Sequence, residues 1–329
     1  MIQRPLVIAH RGASGYRPEH TAAAYELAIR QGADAVEPDL VSTRDGVLVV
    51  RHENEISGTT DVAEHPEFAD RRATKIVDGT SLTGWFTEDF LWSELATLRA
   101  RERLVKTRPA NTKYDGKQGI LRLTDLIDIL AAADRPITMV AELKHATYFD
   151  TIGLPLEPVF AVDIANWATP SNLIVECFEQ GALSNVQELD VPGRVTFLAD
   201  VEGAPADQVA RFGDRAKTFA DYLTDEGLAR LAAEVDGVSV DKALLLEADA
   251  DGVVTGTTDL IERARSMGLE TFTWTLRAEN RFLEQGFRHG FRSRDLGDWR
   301  REFELIMRTG VDGVFADQPD LALSARASL

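Results

Sequence analysis

The stretch GADAVEPDLVSTRDGVLVVRH, residues 32–52, sets two acids, Glu37 and Asp39, inside a run that is otherwise apolar and β-capable. Side chains at i and i+2 of an extended strand point the same way, so the two carboxylates share one face. An interior pair of like charges is costly unless a cation or a proton lies between them. The stretch therefore predicts a buried strand whose end carries something that neutralises it. The segment TRDG then turns the chain back into a further short strand, and His52 follows it near the same end of the structure.

The same rhythm continues on both sides. PLVIAH (5–10) reads as a strand and is followed by a helix over 21–32 with Gly32 as its stop. ITMVAELK (137–144), NLIVECF (172–178), RVTFLAD (194–200), GVSVDKALL (237–245), ETFTWTL (270–276) and VDGVFADQP (311–319) read as further strands. Helix-period stretches at 124–134, 225–235 and 257–268 lie between them. About eight strand–helix units predict an α/β fold, a TIM (β/α)8 barrel, with a doubly wound open sheet as runner-up. Nearly every proposed strand is apolar at its start and polar near its end, at His10, Asp39, Lys144, Asp200, Asp241, Thr275 and Asp317. In such barrels the carboxyl ends of the strands form the site face, so these residues converge on one mouth.

The rhythm breaks over 53–118, between the second and third barrel strands, where charged and turn-forming residues show no strand and helix pair. That is too long for an ordinary βα loop. Residues 1–329 are accordingly expected to form one barrel domain, with 53–118 an insertion that folds as a lid over the carboxyl-terminal mouth. A second irregular interval covers 277–310.

A chain of 329 residues, 44% hydrophobic and 27% charged, belongs to a globular protein with a large core. Its formal net charge of −18 disfavours nucleic acid and anionic membranes as partners, so an anionic substrate has to meet a local cluster of positive charge. No apolar stretch reaches spanning length and no signal-like run opens the chain, which predicts a cytoplasmic protein unless a leader has been trimmed. A single cysteine, Cys177, permits no internal disulfide.

His10 and Arg11, in AHRGASGYRPEHT, follow the first strand directly, and Gly12, Gly15 and Pro18 let the loop bend round a ligand. A histidine moves protons near neutral pH, and an arginine grips phosphate with parallel hydrogen bonds. His52 is a candidate partner in acid–base work. VAELKH places Glu142 and Lys144 on one face, and Glu142 adds a third carboxylate from a neighbouring strand to Glu37 and Asp39. Three such oxygens suit a hard divalent cation, Mg²⁺ or Ca²⁺. Trp274 reads either as a core aromatic or as a wall of the mouth that serves a cationic headgroup. Zinc-ligand spacings and Gly-rich nucleotide loops are missing.

Taken in order, HRG (10–12), PEHT (18–21), GADAVEPDLVSTRDGVLVVRH (32–52), AELK (141–144), FTWTL (272–276) and GVDGVFADQP (310–319) resemble the glycerophosphodiester phosphodiesterase family. The interval after the second strand is similar to that of its larger members. The resemblance implies a barrel that hydrolyses small glycerophosphodiesters to sn-glycerol 3-phosphate and an alcohol. It implies Glu37, Asp39 and Glu142 as metal ligands, His10 and His52 as the acid and base, and Arg11 and Lys144 as a phosphate clamp. His20 departs from the pattern, since the family usually has asparagine there. Two other readings remain open from the residues: a metal-dependent lyase of the enolase type, and a non-catalytic barrel that binds phosphate esters.

Overall fold

The computed structural model of the chain describes residues 4–329. Eight parallel strands close into a barrel: Leu6–His10, Ala35–Glu37 continued by Asp39–Ser42, Thr138–Leu143, Leu173–Cys177, Arg194–Ala199, Gly237–Asp241, Glu270–Leu276 and Gly313–Ala316. The first strand pairs with the last, Ile8 opposite Phe315, and with the second, Ile8 opposite Ala35; Ala35 in turn stands opposite Thr138. The second strand is interrupted at Pro38, which has no N–H for the ladder. Its carbonyl still accepts from the Glu142 amide at 2.9 Å, so the sheet runs on past the break.

Helices between the strands cover the barrel's outside. The helix Ala22–Gln31 begins with the Thr21 side chain accepting from the Ala24 amide and stops at Gly32, whose φ of 95° only glycine adopts freely. Asp225–Leu231 and Leu260–Ser266 lie within the stretches whose periodicity predicts helices, and Leu123–Ala131 overlaps the third, starting one residue earlier. Their apolar faces and the outward residues of the strands make the larger core layer. A smaller plug fills the barrel itself: Ile8, Ala35, Val140, Ile174, Phe272 and Phe315, with Leu6 and Trp274 packed on it. A Cβ at Gly313 would lie 2.7 Å from the Phe272 ring, so glycine there leaves the ring its place.

The strand period of two then builds the site. Two residues beyond these plug positions, towards the carboxyl ends, come His10, Glu37, Glu142, Glu176, Trp274 and Asp317. The barrel's interior is thus apolar at one level and, Trp274 apart, ionisable at the next.

Two intervals differ from expectation. Residues 53–118 hold an antiparallel hairpin, Ala73–Val77 with Thr80–Gly84, and several short helical turns. Asp78 and Gly79 (φ 47° and 78°) form its turn, and the Asp-Gly pair is a hairpin signal readable in the sequence. The interval 277–310 is not irregular throughout: Trp299–Met307 is a helix whose Phe303, Ile306 and Met307 are buried. Its interspersed charges hide the 3.6-residue pattern. Among the described residues no helix is long and apolar enough to cross a membrane.

Candidate active site

At the carboxyl ends of the strands opens a cavity of 290 Å³. His10, Arg11, Glu37, His52, Glu142, Lys144 and Trp274 line it, together with Glu176, Phe178, Asp241, Arg277 and Phe282. Strand register explains the gathering. His10 stands opposite Glu37, Asp39 opposite Glu142, and Glu142 opposite Glu176. Like charges placed directly across a sheet repel, and here they are also buried.

Glu37, Glu142 and Glu176 each offer an oxygen within 4.8 Å of the others. Burial pushes Glu37 and Glu176 well above the usual carboxyl range and pushes Glu142 up to about 8, against the pull of Lys144. Asp39 goes the other way: burial works to raise it, but Lys144, His52, Arg11 and the hydrogen bond from His20 outweigh that and hold it well below its ordinary value. Asp39 Oδ2 takes the His20 bond at 2.8 Å, whereas Asp39 Oδ1 and Glu176 Oε2 are buried without any hydrogen-bond partner. Buried polar atoms are rarely left unpaired. Two orphan oxygens among four carboxylates are the donor set a hard divalent cation prefers, so these residues fit one.

His10 donates from Nδ1 to Asp317 Oδ1 at 2.6 Å. Asp317 can only accept, so the Nε2 lone pair is the one left for the cavity. His52 is arranged alike: Nδ1 faces Glu53 Oε1 at 2.6 Å, and Nε2 lies 3.2 Å from Lys144 Nζ. Burial, then the nearby Arg11, lowers His10 to about 4 and His52 to about 3, with Lys144 adding to the effect on His52. Both rings are therefore neutral near pH 7. Lys144 Nζ lies 2.8 Å from Glu142 Oε1, as the i, i+2 spacing predicts. Arg11 adopts φ 59° and brings its amide to Glu37 Oε2 at 2.7 Å. Its Nε, 3.2 Å from Asp39 Oδ2, is buried without a hydrogen bond.

The sequence from residue 10 to residue 321 matches the Glycerophosphoryl diester phosphodiesterase family. The chain belongs to this family. It is 31% identical over 325 residues to the glycerophosphodiester phosphodiesterase GDPD6 of Arabidopsis thaliana, covering 95% of this chain and 84% of that one. Its fold is that of a putative glycerophosphoryl diester phosphodiesterase from Silicibacter pomeroyi (TM-score 0.68, 19% identity, covering 100% of this chain and 95% of the other). It is also that of an Oleispira antarctica phosphodiesterase solved with the product sn-glycerol-3-phosphate (TM-score 0.64, 18% identity, 98% and 96% covered).

Within this phosphodiesterase barrel several residues lie outside the set expected from sequence. Glu176, not Asp39, completes the tightest group of carboxylates, and Asp39 stands beside it, turned towards His20 and Arg11. The signal for Glu176 was available, since LIVEC ends as VAEL does, with the acid one residue before the strand's last. His20, at the unusual position, is buried and neutral through burial; its Nε2 donates to Asp39 while Nδ1 meets the Tyr25 hydroxyl at 2.8 Å. Trp274 sits both on the barrel plug and against the cavity. Of the segment 53–118, Glu53 meets His52 Nδ1, Arg103 holds Glu53, Arg108 holds Asp317 behind His10, and none of the segment lines this cavity. Asp78, at the hairpin turn, lines an adjoining depression with Phe178 and Lys144 and a second one with Thr147 and Tyr148.

Proposed function

We propose that this barrel hydrolyses small glycerophosphodiesters to sn-glycerol 3-phosphate and an alcohol, with His10 and His52 as the proton-transfer pair. One observation carries the reading. A single cavity joins a carboxylate cluster with orphan oxygens to two neutral histidines, each anchored through Nδ1 on an acid and each turning Nε2 inward. Neither a proton-abstracting lyase nor a passive phosphate-ester site accounts for two such rings. The cavity's 290 Å³ lies at the small end for ligand pockets and suits a water-soluble diester.

Glu37, Glu142, Glu176 and Asp39 would hold one divalent cation, Mg²⁺ or Ca²⁺. When bound it supplies positive charge to a phosphoryl group that otherwise repels an incoming oxygen. Arg11, whose Nε makes no hydrogen bond, and Lys144 hold the diester's own negative charge. Those two cations help to depress His52, and Arg11 helps to depress His10, so a bound anion that neutralises them lets one ring hold the proton that the leaving alcohol needs while the other stays neutral.

No serine, threonine or cysteine in the cavity lining has a base positioned to activate it. Among the described residues Thr275 is the one hydroxyl that lines the cavity. The substrate's 2-hydroxyl, held beside the phosphorus, has a large entropic advantage over free water. One histidine Nε2 removes its proton, the other gives a proton to the leaving alcohol, and the cyclic phosphate so formed opens with water as the rings exchange roles. Phosphorus NMR of glycerophosphocholine incubated with the protein and Mg²⁺ or Ca²⁺ tests the reading. Formation of sn-glycerol 3-phosphate and choline is expected; phosphocholine as the product, or an unaltered diester, refutes it.

A further inference from the structure

The carboxylates that meet Nδ1 of the two histidines, Glu53 and Asp317, are both held by one short run of the insertion. We infer that Arg103 and Arg108 are positioning residues that fix the orientation and tautomer of His52 and His10. The 53–118 segment then acts on the reaction through the carboxylates behind the rings. The inference rests on the acid–base roles proposed for the two histidines.

Arg108 is buried, with a side chain 5% exposed. Its Nε lies 2.6 Å from Glu279 Oε1, one Nη lies 2.6 Å from Asp317 Oδ2, and the other donates to the Ser14 carbonyl at 3.1 Å. Asp317 Oδ2 also accepts from Arg277 Nε at 2.8 Å. With that oxygen doubly engaged, Oδ1 is the one presented to His10 Nδ1. Arg103 binds two carboxylates edge-on: Glu19 at 2.8 and 2.7 Å and Glu53 at 2.6 Å through each of two nitrogens. Among the described residues the Glu53 carboxylate takes hydrogen bonds from His52 and Arg103 alone. The same guanidinium steadies Glu19, which faces Arg11 at 3.5 Å.

A guanidinium is planar and presents its donors in a rigid fork, so it fixes a carboxylate's rotation as well as its charge. Without the fork each carboxylate turns, and Nδ1 loses a fixed acceptor. The ring then samples the tautomer that puts a proton, not a lone pair, at Nε2. Small misplacements of this kind cost about a hundredfold in rate. Lysine supplies the charge as a single point and cannot span two carboxylate edges.

Variants of the full chain test this. In Arg108→Gln, kcat for glycerophosphocholine is expected to fall about tenfold to a hundredfold while KM moves less than about twofold. Arg103→Gln, whose side chain is 27% exposed, is expected to lose about tenfold. Lysine at either position restores part of the loss. Proton NMR of the imidazole N–H region adds a readout that a merely structural role would leave alone. The His10 Nδ1–H signal broadens in Arg108→Gln and the His52 signal in Arg103→Gln. Arg101→Gln, which breaks only the Glu64 pair, keeps the wild-type kcat. If Arg108→Gln does not fold, Arg108→Lys and Arg103→Gln carry the same comparison. Rates within twofold of wild type and unaltered N–H signals in the folded variants, with His10→Ala and His52→Ala inactive, overturn the positioning role alone. Full activity in His10→Ala or His52→Ala overturns the acid–base reading and the inference with it.

Discussion

Replacing Asp317 by asparagine changes one atom and reverses the hydrogen bonding behind His10. Asp317 Oδ2 accepts from two arginines, at 2.6 Å from Arg108 and 2.8 Å from Arg277. Both neighbours can only donate, so the asparagine oxygen stays with them and its NH₂ group turns to His10. An NH₂ donor at that place makes His10 Nδ1 the acceptor, which moves the ring proton to Nε2 and removes the lone pair from the cavity. Losing the correct tautomer in this way costs about a thousandfold or more in kcat, or ~4 kcal/mol at about 1.36 kcal/mol per tenfold. Asp317 does not line the cavity, so KM should change little. The substitution also leaves two arginines facing a neutral amide in a site where the acid was 3% exposed, and breaking a buried pair costs about 3 kcal/mol of stability or more. The assay is therefore choline release from glycerophosphocholine per folded molecule, with the folded fraction taken from thermal melts. A folded Asp317→Asn protein with kcat within tenfold of wild type would refute the tautomer argument.

Glu176→Gln keeps the shape of the side chain and removes one of the clustered charges, so cation affinity is expected to fall about tenfold to a hundredfold by calorimetry; unchanged affinity would place the cation elsewhere. Glu142 holds its proton up to about 8 in the folded cation-free protein, against 4.5 in the unfolded chain. The folded state therefore binds more protons across that window, and the Glu142 contribution to stability falls as pH rises through it. A cation takes the proton's place, so the gain in Tm on adding Mg²⁺ or Ca²⁺ should grow from pH 5 to pH 8, with affinity rising up to about tenfold per pH unit for each proton displaced; a gain independent of pH contradicts the coupling. A 2-deoxy glycerophosphodiester should compete for binding but react at least about a hundredfold more slowly, since it lacks the internal nucleophile. Rapid hydrolysis of it would leave water as the attacking group.

Much of this was legible in the sequence because strands write a simple code. A period of two carries apolar residues down the barrel and turns polar at the mouth, and that alone brings His10, Glu37, Glu142 and Lys144 into one cavity. Glu176 obeys the same code and was readable, but it has no neighbouring acid in its own strand to draw attention to it. The supports were not legible. Arg103 and Arg108 reach Glu53 and Asp317 from an irregular segment with no periodicity, and Asp317 lies 209 residues from Arg108. Charge-rich sequence reads as solvated surface, and nothing local distinguishes an arginine that pairs with a buried acid from one that points to water. For the same reason the helix Trp299–Met307 was masked, because four charged side chains interrupt its buried stripe.

The most direct test of the whole account follows hydrolysis of glycerophosphocholine in one sample of protein, first as purified, then after exhaustive chelation, then after re-addition of Mg²⁺ or Ca²⁺. The carboxylate cluster predicts that turnover is lost on chelation, returns with the cation, and does not return in Glu37→Gln. Undiminished turnover in the chelated protein, or full activity in Glu37→Gln, would contradict it.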